Sequence, residues 1–443
     1  MKKVCLLGIV AILILSLCAC HAEPPVGSTA AAPSDIDTTT APSNTYTTTP
    51  DGTTAPSVDV DIALKTDGWV NIENVEARDS IFAFGGYYHC AEMGGQILAF
   101  TDISNGNTVV LCSKAGCKHH AETSESKQQK CDAYLGSNVF FLHVYGDKIY
   151  YNSNDDGYGG IDLYCRNADG TGKQKIAELG TQYVTPESSI EVGYYFPVGS
   201  KLYYKIDVKG SVQRDDGVYE VQQIKQVLMC VDLSTGKETL IGEFTDEHPH
   251  MIAAREDQLL FYSLGKTDAY KSDGSVDKEA LNALPVCLKV WDEDVKQIDV
   301  VFEKTAKECS GQGFVIGSKY YYNGTTLDED NQEFSSWFAY DLTTGEVEIS
   351  ELNTYPLDER FLLYETSVYD TQEKVSLPND FSAQGLFVLD QGDEGFILEK
   401  VYWKEGTGGW KEADYIVYAY VTYDALADGL QSADCLDFLT IDR

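Results

Sequence analysis

This 443-residue sequence predicts an all-β fold built from one repeated sheet unit, on three observations. First, an aromatic phrase recurs: "GGYYHC" at Gly85, "GDKIYYNS" at Gly146, "GSKLYYKI" at Gly199, "EDQLLFYS" at Glu256, "GSKYYYNG" at Gly317 and, more loosely, "AQGLFVLD" at Ala383. These starts lie 61, 53, 57, 61 and 66 residues apart, and 61 residues run from the last start to the C-terminus. Second, most units carry a later strand that ends in an acidic turn, as in "VLMCVDLSTGK". Third, helical periodicity is nearly absent; only "DKEALNALP", Asp277 to Pro285, would make two turns. A phrase such as "KIYYNS" is apolar or aromatic on both alternating faces, which suits a sheet sandwiched between two neighbours. The expectation is a β-propeller of six blades over residues 62–443. The strand-like "RFLLYETSVYD", Arg360 to Asp370, leaves room for a seventh.

The chain opens with Lys2 and Lys3, an apolar run from Val4 to Leu17, and small residues before Cys20. Residues 1–19 read as a secretory signal, because the run is too short for a bilayer span of about 20 apolar residues. Leu17, Cys18, Ala19 and Cys20 resemble the lipobox of bacterial lipoproteins, although Cys18 is an unusual middle residue. The resemblance implies a diacylglyceryl group on Cys20, which becomes the mature N-terminus and joins the protein to the membrane.

Residues 20–61 are dominated by Thr, Pro, Ser and Ala, with almost no side chain to bury. Ordering such a segment cannot be offset by core formation, so a disordered tether is expected. Removing Lys2 and Lys3 from the 33 basic residues leaves 31 against 70 acidic ones, a net charge near −39. That balance argues against nucleic acid and against electrostatic contact with a membrane.

Within the repeat, Asp102, Asp169, Asp232 and Asp341 each stand shortly before a glycine. Their carboxylates would accept from nearby backbone amides while the glycine takes the positive φ of a tight hairpin. The pairing of "IYY" with "LYCRNADGTGKQKI" resembles the six-bladed propellers of the low-density-lipoprotein-receptor (YWTD) type and their bacterial lipoprotein relatives. The match is closest over Gly146 to Ile176, and no blade carries a true YWTD.

No nucleophile elbow, zinc-protease helix, phosphate loop or dinucleotide fingerprint is present. "NSNDDGYGGIDL" has Asn152, Asn154, Asp156 and Gly157 at calcium-loop spacing, but Leu163 stands where the bidentate glutamate belongs, so it reads as a polar hairpin. Most of the 29 tyrosines sit in strand phrases, among them Tyr150, Tyr151, Tyr203, Tyr204 and Tyr320 to Tyr322, and are expected between blades. Trp410, with Trp403 on the strand before it, is the aromatic best placed on a loop to stack on a sugar. Cys90, Cys165, Cys230 and Cys287 lie in apolar strand phrases and read as small hydrophobes.

Cys112, Cys117 and Cys131 stand apart in polar chain. A disulfide between two of them suits an exported protein and is the first expectation; second, with His119 or His120 they offer a Cys3His set, spaced C-x4-C-x-H-x11-C, that a structural Zn²⁺ would accept; free thiols come third. Lys114, Lys118, Lys127 and Lys130 are expected to lower the thiol pKa values. The phrase "C-x-K-x-x-C-x-H" is similar to one in uncharacterised lipoproteins of anaerobic Firmicutes, again after the first blade. That resemblance implies a recurring loop.

The combined expectation is an exported, monomeric lipoprotein on the outer face of a Gram-positive type membrane. Its acidic propeller would be a binding or scaffolding module for an extracellular protein or glycan, with the "DVKGSVQRDDGVYEVQQ" loop, Asp207 to Gln223, at the ligand site. The rival class is a propeller enzyme acting on extracellular glycan or peptide, which needs carboxylates of raised pKa converging at the channel mouth.

Overall fold

The computed structural model describes residues 68–442, except 73–79, 93–95, 120–130, 137–138, 154–160, 214–218, 267–275, 328–331, 351, 353–359, 364–366, 380–384, 392–394, 406–410 and 432–434. The signal segment, Cys20 and the tether lie outside the described residues.

Strands follow one another as successive antiparallel sheets. Blade 1 holds Ser80–Ala83, Gly86–Glu92, Gln96–Asp102 and Thr108–Val110. Blade 2 holds Leu142–Tyr145, Lys148–Ser153, Ile161–Asn167 and Gln174–Leu179, and blade 3 Ser188–Val198, Lys201–Gln213, Tyr219–Asp232 and Glu238–Phe244. Blade 4 holds Glu247–Ala254, Gln258–Gly265, Pro285–Asp292 and Gln297–Thr305, and blade 5 Gly313–Ile316, Lys319–Leu327, Glu333–Asp341 and Val347–Ser350. Blade 6 shows three strands, Phe361–Leu363, Ser367–Asp370 and Val375–Pro378; blade 7 has Gly385–Gln391, Gly395–Glu405, Lys411–Thr422 and Leu436–Asp442. The first strand of blade 1 approaches that of blade 2, the first strand of blade 4 that of blade 5, and the first strand of blade 7 meets that of blade 1. The fold is a seven-bladed β-propeller.

The favoured count of six is therefore corrected to seven, with Arg360 to Asp370 supplying the extra unit. A backbone bond from the residue after the turn aspartate to the residue just before the second strand repeats as Leu233 N to Ser200 O, Glu293 N to Asp257 O and Leu342 N to Ser318 O, each 2.8 Å. Thr371 N to Arg360 O, also 2.8 Å, is the same stitch. Blade 6 thus shows its second, third and fourth strands, too short to carry the aromatic phrase. "AQGLFVLD" matched out of phase: Gly385–Gln391 is the first strand of blade 7, and Gly395–Glu405 the second.

Second strands bury both faces, as "KIYYNS" requires. Adjacent side chains on a strand point oppositely, so Tyr151 packs towards blade 1 with Tyr88 and Leu98, while Tyr150 packs towards blade 3 with Tyr204 and Met229. The acidic turns form as expected: Asp232 Oδ1 accepts from the amides of Ser234 (3.1 Å) and Thr235 (3.0 Å), and Gly236 closes the hairpin at φ 70°. A Cβ on Gly236 would lie 2.5 Å from the Ile176 carbonyl oxygen of blade 2, so the residue is needed for seam packing as well as for φ. Asp277 caps a short α-helix, Lys278–Asn282, accepting from Ala280 N at 3.1 Å.

His89 is buried against Thr101 Oγ1 at 2.9 Å, and burial pushes its pKa down to about 4. The side chain hydroxyl and amides of Thr343 and Thr344 hold Asp341 down to about 2. Both groups bind protons more readily when unfolded. The His89 contribution is therefore complete above pH 6.5 and is lost as pH falls through 4; the Asp341 contribution goes between its ordinary 3.8 and about 2. Urea midpoints should fall from pH 7 to pH 4, and His89→Gln should flatten that slope by an amount on the order of 3 kcal/mol.

Candidate functional site

The outer edge of blade 1 is made in two pieces. Thr108–Val110 pairs with Ala99 to Thr101, the chain departs, and Tyr134–Gly136 returns to pair with Gln96 and Ile97 on the same edge. Leu98 stitches both pieces: its carbonyl accepts from Leu111 N at 3.0 Å, and its amide donates to Ala133 O at 2.9 Å. Cys112 stands just after the departing piece and Cys131 just before the returning one, so the sheet itself brings the two ends of this excursion together.

At that junction the Sγ atoms of Cys112, Cys117 and Cys131 and a ring nitrogen of His119 all lie within 4.8 Å of one another. His119 Nδ1 is 3.3 Å from Cys131 Sγ. His119 and Cys131 are buried, with Ile97, Ala133 and Tyr134 around the cysteine, while Cys112 and Cys117 are half-buried. All three thiols are free in the structure. Of the two candidate histidines, His119 joins the group and His120 lies outside the described residues. Burial pushes the Cys131 and Cys117 thiols up, the reverse of what the lysine island suggested. Lys127 and Lys130 lie outside the described residues. Chemically the arrangement offers three soft donors and one imidazole, a set suited to a tetrahedral d¹⁰ ion.

A residue that sequence reading left within a motif supports the same junction from blade 2. Arg166, fully buried on the third strand, donates from Nη1 to Asp132 O at 2.9 Å and Gly170 O at 3.3 Å, and from Nη2 to Tyr134 O at 3.4 Å and Tyr151 Oη at 3.2 Å. Its guanidinium carbon is 5.3 Å from the Tyr151 ring centroid. Gly170 lets the turn close over Leu111, where a Cβ would lie 2.5 Å from the carbonyl oxygen. The "RNADG" phrase is thus the clamp that holds the returning segment.

Other residues singled out from sequence are structural. Asn152 accepts from the amides of Phe140 (2.9 Å) and Phe141 (3.1 Å), and Leu163 is buried in its strand; Asn154, Asp156 and Gly157 lie outside the described residues. Tyr203, Tyr204, Tyr320 and Tyr322 are buried between blades, Trp403 is half-buried, and Trp410 lies outside the described residues. Cys165 and Cys230 are buried and Cys90 and Cys287 half-buried.

Two further features went unforeseen. Val70–Asn71 adds to the first strand of blade 4, on the side facing away from its second strand, through Val70↔Ala254 and Asn71↔Ala253. Asn71 then bridges to blade 5, with Nδ2 donating to Val315 O at 2.9 Å and Oδ1 accepting from Val315 N at 2.7 Å. First strands line a propeller's channel, so Val70–Asn71 lies against the channel side of blades 4 and 5. Asp207 to Gln223, expected as a loop, is instead a β-ribbon wherever it is described: blade 3's second and third strands remain paired out to Gln213↔Tyr219.

No family model matches the chain, and no curated protein does. Among solved structures, the β-propeller domain of the Trilobed protease from Pyrococcus furiosus is 13% identical over 65% of this chain and 90% of that one, with a TM-score of 0.37. Oligogalacturonate lyase from Vibrio parahaemolyticus is 13% identical over 66% and 82% of the two chains, at 0.27. Acylaminoacyl peptidase from Pyrococcus horikoshii is 11% identical over 68% of this chain and only 52% of that one, at 0.38. Likeness at this level carries nothing about activity.

Proposed function

We propose that this chain is a lipid-anchored surface protein, joined to the membrane through Cys20, whose propeller binds an extended segment of an extracellular polypeptide. The observation that carries this reading is the ribbon of blade 3. The outermost strand of that blade begins pairing only at Gln226↔Phe244, while the third strand runs back to Tyr219. Among the described residues, no strand pairs with the outer edge of Tyr219 to Lys225. Tyr219 and Val221 are exposed there, at 68% and 66%. An open edge with backbone donors and acceptors, flanked by apolar side chains, is the geometry of strand addition. A tether ahead of the propeller would hold that edge clear of the membrane. Carboxylates also fit a binding role: among the described residues, every resolved shift of an aspartate or glutamate is downward, set by hydrogen bonds or ion pairs.

Cells carrying the full chain, probed with an extracellular peptide and glycan array, test the reading in one experiment. The parent should stay with the membrane and capture extended peptides. Cys20→Ala should release the protein to the medium, and Val221→Lys should stay on the cell while losing capture by about tenfold or more. Retention of Cys20→Ala in the membrane, equal capture by Val221→Lys, or turnover of a bound glycan or peptide would each overturn it.

A further inference from the structure

We infer that Cys112, Cys117, His119 and Cys131 form a closed tetrahedral site for one zinc ion, and that the ion staples the two ends of the blade 1 excursion. A tetrahedral Zn²⁺ with Zn–S of about 2.3 Å and Zn–N of about 2.0 Å needs its donors roughly 3.5–3.8 Å apart. The four donor atoms already lie within 4.8 Å of one another, and the His119 Nδ1 to Cys131 Sγ separation is 3.3 Å. Shifts within ordinary side-chain freedom complete the tetrahedron.

Three features favour an ion over a sulfur–sulfur bond. A disulfide would use two of the three sulfurs and give the convergent, buried imidazole of His119 no part. The donors divide into a buried pair, His119 and Cys131, and a half-buried pair, Cys112 and Cys117, which leaves one side open for an ion to arrive. The supporting frame is also built: Ser113 Oγ donates to Asp132 Oδ2 at 3.1 Å across the junction, and Arg166 fixes the carbonyls of Asp132 and Tyr134 beside Cys131. Soft thiolates with one imidazole select zinc over magnesium or calcium. Four protein donors leave no open position for water, so the site holds the loop and does not hydrolyse.

The test uses the full chain purified under reducing conditions, with Zn²⁺ and Co²⁺ alone as probes. Elemental analysis should find one zinc per chain that survives dialysis, and Co²⁺ exchange should give the visible ligand-field bands of a tetrahedral thiolate site. His119→Ala and Cys117→Ser should lower Zn²⁺ affinity by roughly a hundredfold or more, while His119→Cys should retain the metal. Because a ligand variant can fail to fold, chelation of the parent provides a second reading: hydrogen exchange should rise at Leu98, Leu111 and Tyr134 and be restored by Zn²⁺. The chain purified in parallel without reductant, if its intact mass is two protons light and it holds no metal, assigns a disulfide instead. Three alkylatable thiols in the cluster without Co²⁺ bands, or ligand variants that bind Zn²⁺ as the parent does, also overturn the inference.

Discussion

Arg166→Ala should destabilise the propeller by about 3–5 kcal/mol, read as a lower urea midpoint at unchanged slope. The guanidinium is fully buried and serves the carbonyls of Asp132, Tyr134 and Gly170 and the Tyr151 hydroxyl. Removing it leaves those acceptors without their charged donor in a seam that water does not reach, and opens a cavity beside Tyr151. Arg166→Met keeps most of the volume but none of the bonds and should cost about 2–3 kcal/mol. Arg166→Lys, which keeps the charge without the fork, should fall between the parent and Ala. A loss of under about 1 kcal/mol for Arg166→Ala would show that the returning segment is held by other contacts. Total stabilities of about 5–15 kcal/mol make the predicted loss a large fraction of the whole.

Tyr87→Ala should cost a comparable amount, about 3–5 kcal/mol, because of how the ring closes. All described strands of blade 1 come from the N-terminal side and all those of blade 7 from the C-terminal side, so no described strand crosses the joint. Side chains make the closure: Tyr87 is buried, with Phe438 at 5.5 Å edge-on and Tyr418 at 5.7 Å, and Phe82 stacks on Tyr420 at 5.0 Å. Hydrogen exchange should rise first in blades 1 and 7 of the variant, and spare blades 3 and 4. A double-mutant cycle between Tyr87 and Phe438 should return a coupling of about 0.5–1.5 kcal/mol. Additive effects at these two positions, or uniform loosening around the ring, would place the closure energy elsewhere.

What the sequence made legible was local. The doubled tyrosines and the turn aspartates each encode their role within a dozen or so residues, and each takes the expected local form. Blade 6 was hard to see because its second strand, Phe361–Leu363, carries no aromatic pair and its turn aspartate, Asp370, is followed by "TQEK" and no glycine. The ribbon was mistaken for a loop because it runs past the blade. Water on both faces removes the alternation that marks a half-buried strand, as the exposed Tyr219, Glu220, Val221 and Gln222 show. The bridge from Asn71 to Val315 spans 244 positions, and no spacing rule reaches that far. The Cys131 thiol is pushed up because burial among Ile97, Ala133 and Tyr134 disfavours its thiolate, which only the folded environment reveals.

The short pairing of Val70–Asn71 also decides where tension would enter the molecule. A pull on the chain ahead of residue 68 does not reach an outer strand. It loads a two-residue pin on the innermost side of the ring, held by its register with Ala253 and Ala254, by the Asn71 bridge to Val315, and by Trp69 beneath the Arg255 guanidinium at 4.6 Å. That pin is much weaker than any four-stranded sheet, so it should yield first and lengthen the leash while the seven blades stay intact.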